Sequence, residues 1–155
     1  MHCDTIVKAF ECNLTNVATL QLAHANGPEA PAPAELNGSS MYEITHYSYN
    51  DYLDYTRYTN SRLAYLIDQL KNTTDMDGLP LFDSTLLFKV TSDGDANNHD
   101  NLNAAFMMAG GSEILEGGRN IIADDNYDLL DTITEELGLT GQVPKYGNKK
   151  IKTLF

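Results

Sequence analysis

The sequence predicts a layered α/β/α domain built on a largely parallel or mixed sheet. Three observations carry that expectation. Short apolar runs at Val17–Leu22, Leu81–Val90 and Leu102–Ala109 have the length and composition of buried strands. Apolar residues recur at helical spacing from about Asn50 to Lys71 and again from about Asn126 to Leu137. The 155 residues show no internal repeat and suffice for one core, so a single domain over residues 1–155 is expected. Strands alternating with helices are the pattern of a layered sheet.

Taken in order, Ile6, Val7 and Phe10 follow Asp4 at helical spacing, and Asp4 can cap the first turn of a short helix ending near Asn13. Cys3 and Cys12 on such a helix sit roughly 13 Å apart along its axis, beyond disulfide reach, and two thiols alone make no metal cage. The run Val17–Leu22 reads as a strand buried on both faces. Residues 26–41, with Pro28, Pro31, Pro33 and Gly38, are too rigid and too polar to pack and read as a surface loop.

The long helix from Asn50 should bury Leu53, Leu63, Leu66, Ile67 and Leu70. Its Tyr49, Tyr52, Tyr55 and Tyr58 stand three apart. They read first as half-buried rings with wet hydroxyls, and an aromatic binding platform is the alternative. Asp77-Gly78 marks a turn within Asn72–Pro80. The strand from Leu81 then hands over to a polar loop reaching His99, and the next strand ends at Gly110-Gly111. Glu113–Asn120 reads as a hairpin or turn. The last helix presents Leu129, Leu130, Ile133 and Leu137 on one face, with Gly138 as its stop.

Composition removes several function classes. The net charge of −12, from 22 acidic and 10 basic residues, repels phosphate backbones, so no nucleic-acid partner is expected. The basic cluster of Lys145, Lys149, Lys150 and Lys152 reads as a solvated tail. No run approaches the roughly 18 apolar residues of a membrane span, and the N-terminus shows no signal-peptide pattern. Walker-type phosphate loops, Gly-x-Ser-x-Gly elbows and Cys-x-x-Cys pairs are absent from the sequence.

The loop after the central strand concentrates the chemistry-bearing side chains. Asp93, Asp95 and Asn97 alternate like the first half of a calcium loop, but Asn98 and Ala104 stand where an EF-hand needs Gly and Glu. A hard-cation site on Asp93 and Asp95 is one reading; side-chain capping of the turn is the other. His99 closes the loop. His46 follows Glu43 by three residues, so the two share a helix face and could hold one ion, although a structural or solvent-exposed histidine is the plainer reading of each alone.

Several stretches together resemble a family of large secreted bacterial proteins, a domain-of-unknown-function family akin to the alkaline phosphatase and sulfatase superfamily. They are Phe10–Thr19; Ile44-Thr45-His46-Tyr47; Arg62–Leu70 with Leu81–Asp93; Ala109-Gly110-Gly111 with Glu116-Gly117-Gly118-Arg119; and Leu129 through Leu137-Gly138-Leu139 to Tyr146-Gly147. The resemblance implies a truncated, alkaline-phosphatase-like fold forming the C-terminal part of a longer parent, in a periplasmic or secreted setting. In that superfamily a late strand ends in Asp-His and a further His follows. Asp93 matches the Asp, Gly94 stands in place of the His, and His99 matches the later one; Glu43 and His46 match an Asp-x-x-x-His pair with one residue fewer between them. No nucleophile-bearing strand has a counterpart in the chain, and two-metal hydrolysis lacks its attacking group without one. The expectation is therefore a degenerate, non-catalytic module that keeps a divalent metal (zinc, calcium or magnesium) on Asp93, His99, His46, Glu43 and Asp95. The alternative is a metal-dependent phosphate- or sulfate-ester hydrolase completed by an upstream segment. Expected partners are a second copy of the chain or an upstream domain.

Overall fold

A computed structural model describes residues 2–22, 41–47, 49–91, 93–100, 103–112, 115–122, 126–145, 147 and 151. Among them the elements are α1 (His2–Glu11), α2 (Met41–Tyr47), α3 (Tyr49–Asn72), α4 (Leu81–Ser84), β1 (Leu86–Val90), β2 (Phe106–Gly110) and α5 (Asn126–Glu136). No helix among the described residues is long and apolar enough to cross a membrane.

The expected layered α/β/α architecture with a parallel or mixed sheet is overturned. Five helices accompany one two-stranded sheet, and its strands run antiparallel with Leu86 opposite Gly110 and Val90 opposite Phe106. The reason lies in the connection. Parallel neighbours need a crossover of a dozen or more residues, usually helical, whereas the described residues between Val90 and Phe106 contain a turn and no helix. Phe88 and Phe106, diagonal across the pair, stack with ring centres 5.6 Å apart.

The segment Val17–Leu22, expected to be a strand buried on both faces, belongs to no sheet, and Val17 is 76% exposed. The expected strand from Leu81 begins later, because Leu81–Ser84 forms the single helical turn α4. In a strand, Leu81 and Phe82 would point to opposite faces. In the helical turn, Leu81 is buried with Val7 and Leu70, and Phe82 packs against the same cluster together with Phe10, Leu66 and Leu87. This cluster is where α1, α3 and α4 meet.

Two helices follow the sequence closely. α1 fits the spacing of Ile6, Val7 and Phe10. Asp4 lies inside its first turn rather than capping it, and accepts a hydrogen bond of 2.6 Å from the Tyr65 hydroxyl on α3. Cys3 is buried and Cys12 exposed, and both are free thiols. α3 buries Leu63 and Leu70 as its spacing predicts, with Tyr55 and Thr59 added. Of the tyrosine row, Tyr55 is core while Tyr49 is 75% exposed, so the row wraps around the helix instead of forming one platform.

The surface loop expected over residues 26–41 lies outside the described residues except at Met41, which opens α2. The stretch 115–120 forms no hairpin; Leu115 N–H donates to Gly111 O, and Arg119 pairs with Glu116. α5 ends as predicted, with Gly138 at φ +70° and Leu139 N–H reaching back to Thr134 O at 3.0 Å. Its buried face differs from expectation. Leu129, Thr132 and Asp128 are buried, while Leu130 and Leu137 are 43% and 47% exposed. The cover for that face comes from the chain's end: Gly147 N–H donates to Asp131 Oδ2 and Ile151 N–H to Thr132 Oγ1.

Candidate metal-binding site

The candidate site is assembled by α2 and the loop after β1. Ile44, 1% exposed, anchors α2, which packs against α3. That anchoring places His46, two residues further on, at the helix's last turn. The loop is closed by its own hydrogen bonds. Gly94 N–H and Asp95 N–H both donate to Asp100 O, and Asp100 N–H returns a bond to Asp95 O. Within it the Asp95 carboxylate accepts from Asn97 N–H (3.0 Å), Asn98 N–H (3.2 Å) and Asn98 Nδ2 (2.7 Å). Side-chain bonding from Asn98, then the backbone amides of Asn98 and Asn97, holds the Asp95 carboxyl below its ordinary range.

The tightened loop carries His99 in the left-handed region at φ +55°, a conformation that histidine, asparagine and aspartate adopt more readily than other side chains. His99 is thereby turned onto α2. Its ring centre lies 4.9 Å from that of His46, with the rings inclined at 68°. Asn97 Oδ1 lies 3.4 Å from His46 Nδ1. With that oxygen as acceptor, Nδ1 carries the proton and Nε2, shielded from solvent, presents the lone pair. Orienting one imidazole nitrogen to release the other is the usual support of a metal-ligating histidine.

The structure thus brings together two of the five residues the sequence singles out, His46 and His99. Asp95 is occupied in holding the turn, which is its capping reading. Glu43 is exposed on α2, and Asp93 lines a cleft beside β1 together with His99. Among the described residues no three His, Cys, Asp or Glu side chains converge as a metal-holding group. Asn97 is the residue whose role spacing did not reveal. Its only signal is membership of the same short loop, two positions before His99.

The geometry of the pair suits a metal that prefers imidazole. Two imidazoles on one zinc, with metal–nitrogen distances of about 2.0–2.1 Å, place their ring centres about 5 Å apart. Calcium and magnesium ask for six or more oxygen ligands, which two imidazoles do not offer.

Comparison of the chain with protein-family models, curated proteins and solved structures found no match.

Proposed function

We propose that this chain is a non-catalytic module that binds one divalent transition metal, zinc by preference, through His46 and His99. The observation that carries the reading is the approach of those two rings to 4.9 Å across two separate elements, with Asn97 placed to set the tautomer of His46. Zinc suits imidazole donors, and when bound it would supply a fixed positive charge and a cross-link between α2 and the loop. The side chains on the page orient and shield; none of them is assigned a chemical step. The kinship proposed is with the alkaline phosphatase and sulfatase superfamily in a degenerate form. It rests on the sequence motifs, with Gly94 at the position of a superfamily ligand, and not on a layered sheet.

Isothermal titration of chelator-treated protein with zinc tests the proposal. One zinc per chain is expected, with affinity at least tenfold weaker in His46→Ala and in His99→Ala while the circular dichroism of the apo proteins stays unchanged. Absence of stoichiometric zinc, or equal affinity in both variants, would sink it. Turnover of an aryl phosphate or sulfate ester that disappears in His99→Ala would replace the non-catalytic reading with the hydrolase one.

A further inference from the structure

The cleft beside β1 has the attributes of a strand acceptor. Its volume is about 1390 Å³, and its two long walls are β1 and the extended segment 15–22. β1 pairs with β2 along one edge only, and the segment facing it across the cleft belongs to no sheet. Each is of strand length: the five residues of β1 span about 17 Å at 3.3–3.4 Å per residue. The side chains between them are apolar, with Leu86, Phe88 and Val90 on one wall and Val17, Leu20 and Leu22 on the other. Val17 (76%), Val90 (54%) and Leu22 (41%) remain substantially exposed. Open strand edges next to exposed apolar side chains are what natural proteins ordinarily cover or blunt.

The charge pattern says what kind of strand fits. The acidic side chains on the cleft lie at both ends of β1, Asp75 and Asp83 before it and Asp93 after it. The two cations on its lining are engaged elsewhere, Lys89 with Asn60 Oδ1 and Arg62 over the Tyr58 ring. A second copy of this chain would bring another net charge of −12 to an already acidic rim, and like charges oppose that contact. An apolar strand flanked by basic residues meets both the middle and the ends of the cleft.

We propose that this cleft binds an extended peptide segment of another polypeptide, apolar over about five residues and lysine- or arginine-flanked at both ends, by β-strand addition between β1 and residues 17–22. Main-chain hydrogen bonds to the open edges supply affinity, alternate side chains fill the apolar floor, and the terminal cations face Asp75, Asp83 and Asp93.

A fluorescein-labelled peptide, two lysines followed by alternating valine and isoleucine and two further lysines, tests this by anisotropy with chelator present, so that metal binding plays no part. Saturable binding is expected, with amide exchange slowed at residues 86–90 and 17–22. Alternate backbone N-methylation of the peptide, replacement of its lysines by glutamate, and Thr19→Pro in the protein should each weaken binding at least tenfold. Thr19 is exposed, so that variant keeps its fold, checked by circular dichroism. No saturable binding, or equal binding of the N-methylated peptide, overturns the proposal. So does light scattering that shows a dimer which the peptide fails to dissociate.

Discussion

Asp95 shows how one side chain sets the geometry around it. Its carboxylate gathers three N–H donors from Asn97 and Asn98, and that gathering curls the loop until His99 adopts a positive φ and meets His46. Those bonds favour the charged carboxylate, so its folded pKa lies below the unfolded value near 3.8. The stabilisation they give the loop is therefore complete above about that pH. It is lost as pH falls through the lowered folded value. NMR titration should show the Asn97 and Asn98 amide resonances steady from neutrality down to pH 4 and moving together below it. Movement centred between pH 5 and 7 would instead assign the loop's order to the histidines. The same logic explains why Asp95 was misleading as a candidate ligand. Alternating oxygen-bearing residues suit a cation and a self-capped turn equally well, and spacing cannot tell which partner the oxygens will find.

At the scale of elements, the junction of α4 and β2 decides the small sheet's position. Gly110 has φ +78°, and a Cβ there would lie 2.2 Å from Thr85 O and 2.7 Å from Phe82 O. The close approach lets Gly111 N–H donate to Phe82 O and Ser112 N–H to Asp83 O, tying the end of β2 to the helical turn before β1. Gly110→Ala should cost about 2–3 kcal/mol or more, since strain at a left-handed φ and a backbone clash add. Urea denaturation would show it as a lowered midpoint with an unchanged slope. The sequence shows a glycine pair at the end of an apolar run, and close backbone approach was legible from it. That the approach is to α4 was not, because a single helical turn of four residues leaves too short a periodic signal to distinguish from a strand. Pro80 and the burial of both Leu81 and Phe82 in one cluster supply the deciding contacts.

Across the whole molecule, the described core is small. Val7, Leu70 and Leu81 form its centre, and Leu70, at 1% exposure, touches the helices that organise the rest. Leu70→Ala should cost about 2–5 kcal/mol by lost burial and cavity formation, read as a drop in Tm with α1 amides exchanging faster. A cost under 1 kcal/mol would mean that the cluster is not the molecule's anchor.

The sequence by itself determined the helices. α1, α3 and α5 lie where apolar spacing, Gly138 and the turn at Asp77-Gly78 put them, because helical hydrogen bonds are local and the period of the apolar face is written in the chain. It also determined which loop holds the histidine and acidic residues. Strand pairing was decided by tertiary structure alone. Three apolar runs of strand length were visible, yet which would pair, in which direction, and which would be left open depends on partners distant in the chain. Val17–Leu22 therefore lies across a cleft from β1 instead of in a sheet, and β1 and β2 meet antiparallel. The same physics governs the candidate site: His46 and His99 are both legible as residues, and only the packing of α2 on α3 and the curl of the loop bring them within reach of one ion.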